Sequence, residues 1–202
     1  GMGGRKPQSI HQEEYKKFKN THYSSPEELR EFFEDGVAIL NFLQKKRSTY
    51  FSKRGWHLAG IELPIVMNVG NNLIYKGFID MVLYHEPTNK FYIYDIKTSR
   101  SGWNDKAKKD ETKQMQLVLY KKLFNEQYGI PLEDIEVEFF IVKRKIWENS
   151  DFPIYRVQLH KPAAGRNKLN KADQILEEFI KECFTPKGKY QEKEHAKIVS
   201  PL

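Results

Sequence analysis

Residues Leu73 to Ser99, LIYKGFIDMVLYHEPTNKFYIYDIKTS, constrain the chain more than any other stretch. Two runs rich in β-branched and aromatic residues flank Glu86-Pro87-Thr88-Asn89. Proline in the second place of such a quartet suits a type I turn, and four-residue loops commonly join antiparallel strands. With those four residues as the loop, His85 lies opposite Lys90, and counting back along both strands sets Asp80 opposite Asp95. Directly opposed residues share a face, with Cβ atoms ~5 Å apart. Lys97, two residues beyond Asp95, stands on that same face. The register therefore predicts two carboxylates and an ammonium converging in the middle of an apolar sheet.

Aspartate is depleted in strands, and two carboxylates this close repel until one takes up a proton. A divalent cation removes the conflict, and hard oxygen donors at this spacing suit Mg²⁺ or Mn²⁺. A lysine beside such a metal can orient or activate a water, or stabilise charge developing on a phosphate. Taken singly, each residue is better read as an ordinary member of a buried Asp–Lys ion pair with a second Asp at a strand end. All three in one register favour a functional site, because buried charges are costly.

A chain of 202 residues is long enough for one domain with a sizeable core. Hydrophobic residues make up 39% and aromatic ones 13%, which fits a globular α/β or α+β fold. Gly1 ahead of Met2 reads as an expression remnant. No apolar run approaches the ~18–20 residues of a membrane span, and no charged-then-apolar signal opens the chain. The single cysteine, Cys183, cannot form an internal disulfide, which fits a reducing compartment and a cytoplasmic protein. It also excludes a four-cysteine zinc or iron–sulfur site within the chain. A net charge of +7 favours an anionic partner, nucleic acid first.

Residues 1–10 read as a disordered arm and His11 to Lys19 as a short helix. Ser25-Pro26-Glu27-Glu28 is a helix start: an N-cap, a proline at the first position and acids in the first turn. Leu29, Phe32, Phe33, Val37, Leu40 and Leu43 recur at helical spacing, so this helix runs to about Lys46. Gly36 inside it suggests a close packing contact or a break. Lys45-Lys46-Arg47 and Lys53-Arg54 bracket Tyr50 and Phe51, which reads either as a nucleic-acid grip or as a solvated helix end beside two core aromatics. Leu58 to Val69 forms a first strand containing Glu62, and the turn Gly70-Asn71-Asn72 leads into the hairpin. Glu62 either faces the same site as Asp80 or is an edge residue in an ion pair.

After the hairpin, a helix from about Lys106 to Tyr128 carries Gln116 and Tyr120 at i and i+4, one above the other. Ile135 to Lys145 is a fourth strand and Tyr155 to Leu159 a fifth, paired across Glu148 to Pro153. Asn170 to Phe184 is a closing helix, and 185–202 a basic polar tail. Lys161, Arg166, Lys168 and Lys171 lead into that helix, either toward phosphates or toward solvent.

Gly77-Phe78-Ile79-Asp80, then Asp95-Ile96-Lys97, then Gln116-Leu117-Val118-Leu119-Tyr120 resemble the G-x-x-D, D-x-K and Q-x-x-x-Y motifs of PD-(D/E)XK nucleases of the RecB/exonuclease branch. Glu62 resembles the acidic residue often found in the preceding strand. D-x-K alone occurs by chance; three motifs in order, each on the expected element, are far more specific. The resemblance implies a restriction-endonuclease-like α/β (α+β) core: a central mixed sheet of about five strands flanked by helices, in the order α-β-β-β-α-β, within one nuclease-like domain over 11–184. It implies that Asp80 and Asp95 hold Mg²⁺ or Mn²⁺, with the Ile96 carbonyl and Glu62 as further ligands. It implies that Lys97 assists the attacking water, and that Gln116 and Tyr120 contact DNA or support the catalytic residues. Many members carry a histidine in the first helix; the stretch Gly36-Val37-Ala38-Ile39-Leu40 has none, and His57 falls just before the strand. The iron–sulfur subgroup is excluded, and the lack of a Walker motif excludes a helicase or ATPase.

The resulting expectation is a Mg²⁺- or Mn²⁺-dependent deoxyribonuclease, an exonuclease or end-processing enzyme of recombination, repair or phage DNA metabolism. Its substrate would be linear or single-stranded ends rather than circles, with a recombination or helicase protein as partner and no membrane. The second reading is a non-catalytic nucleic-acid-binding module that keeps the nuclease fold. The third is a structural domain with a buried ion network.

Overall fold

The structure, a computed structural model, describes residues 24–146 and 155–191. Expectations for the N-terminal arm, the helix at His11 to Lys19, the link at Glu148 to Pro153 and the end of the tail fall outside these residues.

Ser25 opens helix α1 (Pro26–Lys45) with a reciprocal cap: its hydroxyl accepts from the Glu28 amide at 3.2 Å, and the Glu28 carboxylate accepts from the Ser25 amide at 2.8 Å. A single turn, α2 (Arg47–Tyr50), follows. Strands β1 (Trp56–Asn68), β2 (Ile74–His85) and β3 (Lys90–Ser99) are consecutive and antiparallel. Gly70, Asn71 and Asn72 all take positive φ in the β1–β2 turn, a conformation that glycine and asparagine tolerate best. The β2–β3 connection is the expected quartet, tightened into one 3₁₀ turn with Asn89 left-handed, and His85 pairs with Lys90.

Strand β4 (Ile135–Lys143) lies parallel to β3, and β5 (Val157–His160) is antiparallel to β4, giving the order β1-β2-β3-β4-β5. A parallel neighbour requires a crossover, which α3 (Asp105–Lys108) and α4 (Glu111–Tyr128) supply. The single helix expected from Lys106 is thus two. Asp110 divides them because its carboxylate accepts from the Thr112 and Lys113 amides, at 3.0 and 3.4 Å, and so starts a new helix. Helix α5 (Arg166–Cys183) begins four residues earlier than expected, behind Gly165. Thr185 to Gln191 then turn back on its end, where Phe184 bridges Tyr190 and the Gln191 amide donates to the Cys183 carbonyl at 2.7 Å. The architecture is the expected mixed five-stranded sheet flanked by helices.

Helix α4 covers one face of the sheet, packing Leu117, Tyr120, Leu123 and Phe124 against Ile79, Ile93, Phe139 and Ile141. Helix α1 covers the other through Ile39, Phe42 and Leu43, beside Met81, Leu83, Tyr94 and Phe140. Each fully buried side chain of this size contributes about 1.5–3 kcal/mol before entropy is counted. Tyr50 and Phe51 pack on Phe140 with ring centroids 5.5 and 5.4 Å away, so they are core aromatics and not a nucleic-acid grip.

Of the apolar positions read from α1, Leu29, Phe32, Phe33, Val37 and Leu40 remain exposed. The helix is turned so that Asp35, 8% exposed, faces the protein, where Lys145 Nζ meets it at 2.9 Å. Gly36 neither breaks the helix nor makes a close contact: a Cβ there would meet nothing within 4 Å, and nothing in the structure explains the glycine.

Candidate active site

Pairing between β2 and β3 runs from His85↔Lys90 to Met81↔Tyr94 and stops. The next position in register is Asp80 opposite Asp95. There the strands part, and the Ile96 amide donates to Asp80 Oδ2 at 2.6 Å. The Asp80 carboxylate therefore replaces a backbone carbonyl in the ladder. It reaches sideways toward β3, where the sequence reading had it standing off the sheet beside Asp95.

A local kink accompanies this. In a regular strand, residues two apart share a face. Ile79 packs toward α4 and Met81 toward α1, so β2 loses its alternation at Asp80. The partner strand breaks at the same level: Ile61↔Met81 and Leu63↔Ile79 are paired, and Glu62 between them has φ 48°. A left-handed backbone on a residue of this kind costs of order 1–3 kcal/mol. Glu62 thus stands across from Asp80 in register, with its side chain exposed.

Asp95 is 3% exposed and lies on the α4 face: Ile93 precedes it by two, and its parallel partner Phe139 belongs to the same cluster. Lys97 shares that face, with Nζ 3.2 Å from Asp95 Oδ1 and 2.9 Å from Oδ2. The shorter contact lacks hydrogen-bond geometry, so Oδ2 is buried with no hydrogen-bond partner. Burial raises the Asp95 carboxyl above its ordinary range; Lys97 partly offsets this and Asp80 adds to it.

Tyr120 faces the sheet from α4, and Gln116, one turn earlier and exposed, donates from Nε2 to the Tyr120 hydroxyl at 3.3 Å. Tyr120 is 7% exposed and lies over Gly77 on β2, where an added Cβ would stand 3.2 Å from its ring and 3.2 Å from that of Tyr75. Glycine at this position lets both rings approach the strand. Tyr75 was not singled out in the sequence; an aromatic two residues from a strand glycine is the available signal. Burial, then Tyr120, pushes its hydroxyl up to about 12, so it remains a neutral donor.

The chain thus brings Asp80, Asp95 and Lys97 to one sheet position, with Tyr120 over the face that carries Asp95 and the exposed Gln116 bonded to its hydroxyl. Glu62 is opposite Asp80 but not grouped with it. Among the described residues, no three His, Cys, Asp or Glu side chains are clustered as a metal site. The donor set is two carboxylates and the neighbouring Ile96 carbonyl. A buried Asp95 oxygen with no hydrogen bond and an all-oxygen set suit a hard divalent ion that keeps several waters. His57 is elsewhere, 3.2 Å from Glu86. Of the basic residues read as leading into the closing helix, Lys161 precedes α5 and pairs with Glu136, whereas Lys168 and Lys171 lie within α5 and pair with Glu111.

A family model described as the PD-(D/E)XK nuclease superfamily matches residues 9–197. Two solved structures are similar. One is a "putative exonuclease" from Eubacterium rectale, at 13% identity and TM-score 0.47, covering 74% of this chain and 52% of that one. The other is SSO0001, at 17% identity and TM-score 0.43, covering 86% and 69%. The chain spans about half the length of the first. No curated protein matches the sequence. Among the described residues, no helix is long and apolar enough to cross a membrane.

Proposed function

Because the chain belongs to the PD-(D/E)XK nuclease superfamily, we propose that it is a divalent-metal-dependent DNA phosphodiester hydrolase that acts on strand ends. The observation that carries this reading is the Asp80, Asp95 and Lys97 set at the parting of β2 and β3. A bound Mg²⁺ or Mn²⁺ would make a bound water more acidic and would offset charge on the leaving oxygen. Asp80 and Asp95 would hold it with the Ile96 carbonyl, and Glu62 is the one further carboxylate in register. The Lys97 ammonium would orient the attacking water and stabilise negative charge gathering on the phosphate. Gln116 and Tyr120, linked to each other, would hold the scissile strand over Asp95. The preference for ends, and a role in recombination, repair or phage DNA metabolism beside a helicase or recombination protein, follow the exonuclease branch that the motifs resemble.

The test is incubation with end-labelled linear DNA and with closed circular DNA, in Mn²⁺ or Mg²⁺, against EDTA and the Lys97→Ala variant. Metal-dependent loss of the linear substrate alone, absent in the variant, is the expected result. Cleavage of the circle would make it an endonuclease. Salt-sensitive DNA binding with no cleavage would replace the proposal with a non-catalytic binding module.

A further inference from the structure

Next to the proposed catalytic face, between α4 and α5, lies a cleft of about 470 Å³. Its walls are mostly apolar: Leu119, Ile175, Leu176 and Phe179 line it together with Tyr75 and Gln116. We propose that this cleft receives an unpaired nucleobase of the strand being cut, an inference that rests on the nuclease reading.

Continuity with the site identifies the occupant. Gln116 lines the cleft and also donates to the Tyr120 hydroxyl. Tyr75 lines it too, and both tyrosine rings sit over Gly77. Gly77 precedes Asp80 by three residues, or about 10 Å of strand. At ~3.4 Å per stacked nucleotide this is the reach of three nucleotides, and of fewer in an extended strand. A backbone held at Asp80 and Lys97 therefore carries its neighbouring bases to the mouth of the cleft.

The lining suits a base better than a backbone. Phe179, 46% exposed, and Tyr75 offer aromatic surface for stacking, the main sequence-tolerant term in single-strand binding. Gln116 gives one N–H to Tyr120, which leaves its second N–H to donate and Oε1 to accept at a base edge. The one carboxylate on the rim, Glu111, is already held by Lys168 at 3.0 Å and Lys171 at 2.6 Å, so it does not oppose a nucleotide. A base inside a duplex cannot enter such a slot. The cleft therefore selects single-stranded or frayed ends over blunt duplex.

The experiment uses the full chain in EDTA with single-stranded oligonucleotides carrying 2-aminopurine, or an abasic site, at successive positions from one end. The expected result is a change in 2-aminopurine fluorescence confined to one or two positions. Phe179→Ala should abolish that change and weaken binding about ten- to a hundredfold, the worth of one stacked base. An abasic site at the responsive position should weaken wild-type binding to the same degree and add nothing to Phe179→Ala. Ile175→Ala, on the same wall and also part-exposed, provides a second variant, with circular dichroism reporting the fold of both. Unchanged affinity in both variants, or abasic and variant penalties that add, overturns the proposal. Mn²⁺-dependent cleavage of the unmodified oligonucleotide reports separately on the nuclease reading: cleavage without base dependence removes only the cleft, and base-dependent binding without cleavage removes only the nuclease.

Discussion

The Asp80 carboxylate accepts the Ile96 amide proton at 2.6 Å, across a gap that no backbone pairing closes. The residue thus holds two strands together as well as offering an oxygen to a metal. These roles separate by substitution. Asp80→Asn retains an acceptor for the Ile96 amide, so its melting temperature should stay near that of the wild type. Asp80→Ala should lose about 1–3 kcal/mol, the cost of leaving a donor unpaired. Both should lose metal-dependent cleavage. Thermal unfolding and cleavage assays on the two variants check this, and a stable, active Asp80→Ala would refute it.

Lys145 fastens α1 to the end of β4, with Nζ 2.9 Å from both Glu31 and Asp35. Asp35 Oδ2 is buried with no hydrogen-bond partner, and Arg144 Nη1 stands 4.0 Å away. Lys145→Met should therefore lower the melting temperature, by less than the loss of a fully buried pair would because the lysine is partly solvated. Pairing it with Asp35→Asn should recover most of the loss, since no uncompensated carboxylate then remains. Thermal denaturation of the two variants decides the matter.

Much of this arrangement is legible in the sequence. The quartet Glu86 to Asn89 sets the hairpin register, and the register alone aligns Asp80 with Asp95 and Lys97. The spacing of Gln116 and Tyr120 is a helical contact in any fold that keeps α4 straight. The kink at Glu62 and Asp80 was not legible, because a glutamate gives no sign that it will take a φ of 48°. Alternation carried through such a point sends side chains to the wrong face. The exposed side of α1 was missed for a different reason. Periodicity counts apolar residues, and it cannot weigh them against Asp35, whose partner Lys145 lies 110 positions away.

Glu136 accepts from Lys90 at 2.8 Å and Lys161 at 2.5 Å. Burial raises its carboxyl, but the two lysines outweigh burial and hold it below the usual range. A depressed folded pKa stabilises the protein above the unfolded value of about 4.3, and that contribution is lost as the pH falls through the folded value. Melting temperature should therefore drop more steeply in wild type than in Glu136→Gln as the pH is lowered from about 4.5. The difference should shrink in high salt, since both lysines are partly solvated. Equal acid limbs for the two proteins would contradict the account.

Gly77→Ala tests the packing beneath Tyr120. The new methyl would stand 3.2 Å from both the Tyr120 and Tyr75 rings and 3.3 Å from the Tyr75 hydroxyl, so both must give way. Overpacking of this kind costs about 1–3 kcal/mol. Moving Tyr120 also moves the group that receives Gln116, so cleavage should fall along with stability. Tyr75→Ala in the Gly77→Ala background frees one side and should recover part of the stability, as measured by denaturant midpoint at unchanged m-value.

Gln116 and Tyr120 should act as one unit, because the amide of the first donates to the hydroxyl of the second at 3.3 Å. If each contacted DNA independently, the losses in kcat/KM from Gln116→Ala and Tyr120→Phe would add. If instead Tyr120 acts by fixing the Gln116 amide, then Tyr120→Phe frees that amide, and removing Gln116 afterwards costs little more. Residues in contact typically show coupling of about 0.5–3 kcal/mol, well above the ~0.3–0.5 expected of independent sites. Tyr120→Phe keeps the ring over Gly77 and should leave the stability within about 1 kcal/mol of wild type, since only one hydrogen bond is lost. A double-mutant cycle on metal-dependent cleavage therefore reads the pair directly. Coupling within the scatter of independent sites would mean that the two side chains meet the substrate separately, and that their contact on α4 is only a consequence of helical spacing.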